Sequence, residues 1–296
     1  SGLVGSACKT YFERLYGTAN VLCPSSSELN LLDSKATLRY FQKKARDVGL
    51  VIHCAGYVGG ILANSQEPYL FFKNNVLIGL NVLDACYQLD KCKLIVLGSS
   101  CIYPVMETRA ISEDDFLTGS LHRSNRAYAL AKLGIAEACE DLRSKHDMDV
   151  RLLMPTNLYG DRDCYDGHRS HVIPAMILKV LDAKDLGTDC ELFGQPEVKR
   201  EFLHAADLAE AIHFVVELDQ QLYYEASSND SGIHFLNCGS GVEVTMEELA
   251  STIAAEIGFT GRLIFNGKYV GVRRKLIDSS RLHRLGWKPK IQFKSG

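Results

Sequence analysis

Tyr128-Ala129-Leu130-Ala131-Lys132 sets a phenol and an ammonium at i and i+4, one above the other on a single face if the segment is helical. A cation beside a phenol favours phenolate, so a group whose reference pKa is about 10 would be drawn toward neutrality and could exchange a proton with a carbonyl oxygen. Spacing alone does not select this pair, because Tyr-x-x-x-Lys occurs four times, at Tyr40, Tyr69, Tyr87 and Tyr128. Context does select it. An apolar run over residues 94–97 ends in Gly98-Ser99-Ser100-Cys101-Ile102-Tyr103-Pro104, and the Tyr128 segment follows at the distance of one crossover. In wound α/β sheets functional groups collect at such strand ends. A serine there can hydrogen-bond a substrate carbonyl beside the phenol; its other use is to satisfy a turn. Read together, Ser99, Tyr128 and Lys132 predict carbonyl redox chemistry.

Such chemistry needs a hydride carrier. Ser1-Gly2-Leu3-Val4-Gly5 precedes a helical pattern over residues 4–15. Gly2 and Gly5, with Leu3 and Val4 between them, fit the last two glycines of G-x-x-G-x-x-G, a turn that brings backbone and the positive end of a helix to a pyrophosphate. On this reading the first glycine and its strand lie before Ser1. The chain stops at Gly296 just past Trp287-Lys288-Pro289-Lys290-Ile291, and both ends read as cut; the plainer alternative for the glycines is an ordinary terminal turn. The next apolar run ends at Cys23-Pro24-Ser25-Ser26-Ser27, where an NAD-selective site usually places an acidic residue on the ribose. Ser25 and Ser26 can instead take a 2'-phosphate, which favours NADP(H), although no arginine accompanies them.

These groups must be held by something regular. Residues 21–23, 50–54, 94–97 and 150–154 read as strands, and residues 38–46, 68–89 and 125–145 as helices between them, the rhythm of a doubly wound parallel sheet, Rossmann-like in class. Past Pro155 the rhythm breaks into a Gly/Asp/Arg-rich loop over 160–169, a helix from about 173, a strand near Leu192 and a helix over 207–218. Residues 225–232 read as a solvated loop. This predicts a dinucleotide-binding domain of residues 1–165, to which 201–240 return, and a smaller α/β substrate lobe of 166–200 and 241–296. A single continuous domain is the alternative.

Bulk properties narrow the partners. With 296 residues, 46% of them hydrophobic, the chain can bury a large core; a net charge of -3 without a basic run argues against nucleic acid. Ten cysteines lack zinc-site or disulfide-scaffold spacing, so no metal is expected and the cytoplasm is the simplest location. The apolar stretch 76–85 is broken by Asn81 and Asp84, too short for a membrane span.

Further motifs recur in order: Val58-Gly59-Gly60-Ile61, Met154-Pro155-Thr156-Asn157-Leu158-Tyr159-Gly160, His171-Val172-Ile173-Pro174 and Arg200-Glu201-Phe202-Leu203-His204. Together with the Ser99 and Tyr128 motifs they cover nearly the whole chain, which resembles the GDP-L-fucose synthases among the extended short-chain dehydrogenases/reductases. The resemblance implies that GDP-4-keto-6-deoxy-D-mannose is epimerised at C3 and C5 and then reduced at C4 by NADPH. It assigns Cys101 and His171 to acid/base exchange, and Ser99 and Tyr128 to the C4 oxygen. Lys132 goes to the phenol and nicotinamide ribose, His171 also to the cofactor, and Asn157, Lys179 and Arg200 to the GDP portion. A thiol and an imidazole both exchange protons near neutral pH, so the pairing is chemically sensible.

Departures stand beside these matches. Lys179 occupies a place often held by arginine and loses bidentate geometry. The loop Gly160-Asp161-Arg162-Asp163-Cys164-Tyr165 differs from the usual Gly-Pro-His-Asp-Asn-Phe, and Lys268-Tyr269-Val270-Gly271 replaces Lys-Pro-Asp-Gly, so Val270 cannot hold a ribose as an aspartate would. Two other readings stay open: another NAD(P)-dependent nucleotide-sugar epimerase, which would need no Cys101/His171 pair, and a catalytically inactive NADP-binding sensor or scaffold. The resemblance also implies a homodimer through the helices over 68–89 and 125–145, unless their apolar stripes simply pack on the sheet.

Overall fold

The strand Lys93–Leu97 is apolar on both faces, with Leu94 and Val96 in one core and Ile95 and Leu97 in another, so it needs a helical layer on each side. The computed structural model describes residues 2–89, 92–167, 169–268 and 271–296. Ser1, Tyr269 and Val270, named in the sequence reading, lie outside the described residues. In chain order the elements begin α1 (Leu3–Tyr16), α2 (Ser34–Lys44), β1 (Leu50–His53), α3 (Ile61–Gln66), α4 (Pro68–Tyr87), β2 (Lys93–Leu97), α5 (Arg126–His146) and β3 (Val150–Pro155). Next come β4 (Asn157–Tyr159), α6 (Val172–Leu186), β5 (Cys190–Leu192), β6 (Lys199–His204), α7 (Ala205–Glu217), α8 (Gln220–Ser227) and β7 (Phe235–Cys238). Then follow β8 (Glu243–Thr245), α9 (Met246–Ile257), β9 (Leu263–Phe265), β10 (Arg274–Lys275) and α10 (Ser280–Arg284).

The main sheet is parallel throughout, in the order β1-β2-β3-β7, with Leu50 opposite Lys93, Leu94 opposite Val150 and Leu152 opposite Phe235. Val82 and Leu83 of α4 and Ile135 and Cys139 of α5 fill one core; Cys8 and Phe12 of α1 and Leu208, Ile212 and Val215 of α7 fill the other. Local signals place the helix starts. Pro68 opens α4, where its missing N–H costs nothing, and Thr245 with Glu248 forms a reciprocal cap on α9. A smaller set of strands, β10-β6-β4 with β8 antiparallel on β6, packs against α6 and α9 over a third core that contains Val180, Phe202 and Leu249. No helix among the described residues is long and apolar enough to cross a membrane.

Three expectations change. Residues 21–23 are extended at Val21 but form no strand, because no described strand runs beside them to complete a ladder. Residues 225–227 close α8 instead of starting a loop; the Tyr223 hydroxyl donates to the Leu152 carbonyl at 2.9 Å and pins that helix to the sheet. The expected boundary between residues 200 and 201 falls inside β6, which belongs wholly to the smaller sheet.

Candidate active site

β2 delivers the first functional groups. Ser99 caps a single 3-10 turn, Ser100–Ile102, by accepting the Cys101 N–H at 3.2 Å. Ser100, Ile102 and Tyr103 are buried, and the Tyr103 hydroxyl donates to Asn237 Oδ1 at 2.6 Å. The turn is thereby anchored inward, and Ser99 and Cys101 remain on the wall of a deep cleft. The capping use of the serine and its exposure to the cleft coexist.

Tyr128, in the first turn of α5, lines the same cleft with its ring edge-on to Phe71 at 6.4 Å. Burial raises the pKa of its hydroxyl, neighbouring Cys101 raises it further, and a hydrogen bond with the Ser99 side chain pulls it back. Lys132, one turn on, donates to the Leu97 carbonyl at 2.8 Å, tying α5 to the end of β2. Its Nζ lies 5.9 Å from the centre of the Tyr128 ring, and burial pushes the ammonium down to about 8. The cation-driven lowering expected for the phenol does not occur in this arrangement. Desolvation is the largest influence on the phenol, and it disfavours phenolate.

His171 is the N-cap residue of α6 and lines the cleft. A close backbone approach sets its place. The Gly60 N–H donates to the Arg169 carbonyl at 3.1 Å, and a Cβ on Gly60 would stand 2.5 Å from the Ser170 carbonyl oxygen, so only glycine fits. Burial lowers the pKa of the His171 imidazole, against the pull of the Asp163 carboxylate. Asp163 is itself raised by burial, while the Cys164 N–H and then His171 draw it down. One Asp163 oxygen accepts that N–H at 2.8 Å; Oδ2 is buried without a hydrogen-bond partner among the described residues.

Asn157, Lys179 and Arg200 also line the cleft. Asn157 donates to the Glu201 carbonyl at 2.8 Å; Lys179 donates to the Glu191 carbonyl at 2.9 Å with its Nζ 3.6 Å from the centre of the Phe193 ring. Arg200 donates to the Lys199 carbonyl at 2.7 Å, and its pKa is lowered by burial against the opposing Glu107. Gly2, Leu3, Val4 and Gly5 bring the start of α1 to the cleft, with no acidic residue in that first turn. First-turn N–H groups have no intrahelical partner, so the arrangement suits a pyrophosphate. Ser26 stands on the cleft wall, but Ser25 does not: its N–H and hydroxyl both donate to Glu28 Oε2 at 2.8 Å, and the loop satisfies itself.

Asp163 and Lys275 are cleft residues that the motifs did not assign to the site. Asp163 sits in a loop already singled out for its unusual composition. Lys275, which donates to Cys101 Sγ at 3.6 Å, carries no local signal because pairing of β10 with β6 brings it there.

Residues 1–226 match the family described as NAD dependent epimerase/dehydratase family. The chain is 38% identical over 297 residues to the GDP-L-fucose synthase of Escherichia coli (strain K12), covering 100% of this chain and 91% of that protein. It is 40% identical over 297 residues to Putative GDP-L-fucose synthase 2 of Arabidopsis thaliana, covering 100% and 86%. Its fold is similar, at a TM-score of 0.88 and 26% identity, to a GDP-D-glycero-L-gluco-heptose synthase from Campylobacter jejuni solved in the presence of NADPH, covering 100% of this chain and 93% of that one.

Proposed function

The chain belongs to the NAD dependent epimerase/dehydratase family and, within it, to the GDP-L-fucose synthases, and from that premise we propose that it converts GDP-4-keto-6-deoxy-D-mannose to GDP-L-fucose. The reaction has two stages, epimerisation at C3 and C5 and NADPH-dependent reduction of the C4 ketone. The observation that carries this reading is that a thiol, an imidazole, a phenol and a serine hydroxyl share one cleft with a helix N-terminus: Cys101, His171, Tyr128, Ser99 and the start of α1.

The C4 carbonyl acidifies the protons on C3 and C5, so inversion needs proton exchange on both sides and a hold on the enolate oxygen. Cys101 and His171 exchange the protons; the Ser99 and Tyr128 hydroxyls hold the oxygen. Gly2, Leu3, Val4 and Gly5 at the start of α1 would hold NADPH, which would supply the hydride for the second stage. Tyr128 then gives its proton to O4, a task that suits a phenol whose pKa lies above the ordinary value and which is therefore protonated at neutral pH. Lys132, by gripping the Leu97 carbonyl, keeps the Tyr128 helix in step with the Ser99 turn. Asn157, Lys179 and Arg200 face the GDP portion, the two cations toward its diphosphate. Incubation with GDP-4-keto-6-deoxymannose should oxidise NADPH and give a product whose NMR couplings are those of GDP-L-fucose. A product that keeps the mannose configuration at C3 and C5 would contradict the first stage.

We further propose that the main sheet β1-β2-β3-β7 with its helices serves the dinucleotide and the smaller sheet with α6 and α9 the sugar nucleotide, and that the enzyme works in the cytosol, where its ten free cysteines stay reduced. A homodimer through α4 and α5 is supported by the apolar surface these helices leave open: Tyr69 is 68% exposed, Phe72 42%, Leu80 39% and Leu130 42%. Sedimentation equilibrium should return twice the chain mass, and Phe72→Glu with Leu80→Glu should return the chain mass. A wild-type protein that sediments only as monomer at micromolar concentration would dispose of the dimer.

A further inference from the structure

We infer that Lys275 is a positioning residue for Cys101: its ammonium holds the sulfur on the cleft wall and balances the charge that sulfur carries whenever its proton is away. The inference rests on the acid/base reading of Cys101 and deepens it, by naming what keeps that thiol ready to exchange.

The geometry is specific. Lys275 Nζ donates to Cys101 Sγ at 3.6 Å, across 174 positions of sequence. β10 is only two residues long and is fixed by parallel pairing with β6, Lys275 lying opposite Arg200 and Arg274 opposite Lys199. Residues opposite one another in a ladder project from the same face, so Lys275 and Arg200 stand side by side. Arg274, on the alternate face, is taken up by Glu243 at 2.6 Å. Among the described residues Lys275 makes no ion pair, and its one polar contact is the thiol.

The groups around Cys101 come from four segments of the chain. Tyr128 faces the thiol from α5, Arg200 from β6 and Lys275 from β10, while Ser99 accepts the Cys101 backbone N–H within their shared turn. The nearby carboxylate, Glu107, acts on Arg200 and accepts the Arg273 N–H at 2.6 Å. Two cations and a neutral phenol therefore surround the thiol, with the carboxylate one step removed. Sulfur must carry negative charge in passing through either direction of proton exchange, and an ammonium in contact with it is placed to balance that charge.

Alkylation of Cys101 by iodoacetamide, followed by mass spectrometry of its peptide from pH 6 to 10 without substrate, tests the inference; Cys101→Ser marks the background from other thiols. Lys275→Met should slow alkylation about tenfold near neutral pH and recover at alkaline pH, while Lys275→Arg keeps most of the wild-type rate. If Lys275→Met does not give folded protein by circular dichroism, Lys275→Gln takes its place with the same expectation. Equal alkylation of wild type and the neutral variant at every pH would overturn the inference. So would unchanged alkylation with a raised KM for the nucleotide sugar and an unchanged kcat, which would assign Lys275 to the diphosphate. Because alkylation needs no substrate, a chain that failed to make GDP-L-fucose would leave this result interpretable.

Discussion

Tyr128→Phe is expected to lower NADPH oxidation with GDP-4-keto-6-deoxymannose by about a thousandfold, within the range that a positioned proton donor contributes. That corresponds to roughly 4 kcal/mol of transition-state stabilisation, at about 1.4 kcal/mol per decade. The ring and its edge-on contact with Phe71 survive the change, so the loss isolates the hydroxyl. O4 would retain only the Ser99 hydroxyl and would gain negative charge with no proton at hand. Since burial holds the phenol above its ordinary pKa, the wild-type rate should fall on the alkaline side only as Tyr128 loses its proton, and no acid limb should come from this group. Deuterium entry from solvent at C3 and C5 should be slowed less than reduction and still be detectable in the variant, because Cys101 and His171 exchange the protons and the Ser99 hydroxyl still holds the enolate oxygen. A variant that keeps more than about a tenth of the wild-type rate would remove Tyr128 as the proton donor, since even a weak general acid contributes more than that.

The parts of the fold that could be read in advance were those in which one physical cause dominates. β2 is apolar on both faces from Leu94 to Leu97 because helices cover both, and a continuous apolar run records that directly; β3 repeats the pattern only from Leu152 to Met154, since Arg151 is buried on carbonyls and Asp149. α4 and α5 were legible for their length and period. Residues 21–23 had strand-like composition, yet a strand exists only through its neighbour, which composition does not encode. The smaller sheet was largely invisible: β10 is Arg274-Lys275, without an apolar residue, and is a strand solely because β6 pairs with it. The same cause hid Lys275, whereas Ser99, Cys101, Tyr128 and His171 were found because they belong to motifs. What motifs did not convey was electrostatic balance. The i, i+4 spacing of Tyr128 and Lys132 suggested a lowered phenol, but spacing says nothing of burial, and burial raises it. The partner that Ser25 takes, Glu28, three residues on in the same loop, was likewise not conveyed by the motif.

Cys101→Ala and His171→Gln are expected to cut solvent deuterium entry at C3 and C5 by about a hundredfold or more each, the usual contribution of one acid/base group. NADPH binding should change little for Cys101→Ala, because the proposed cofactor cradle is the start of α1 and the thiol sits on the turn after β2. The two losses should not add. If one side chain removes the proton and the other returns it on the opposite face, either deletion stalls the same exchange, and the double variant should resemble the worse single one. The Asp163 carboxylate opposes the burial that lowers the His171 pKa, so Asp163→Asn should shift the pH dependence of exchange toward the acid side without abolishing it. Any ketone reduced by the single variants should appear as a product with the original configuration at C3 and C5, since Tyr128 and Ser99 remain at O4. If both variants exchanged deuterium at the wild-type rate, the thiol and imidazole would be bystanders, and the cleft would be that of a ketoreductase whose substrate arrives already inverted.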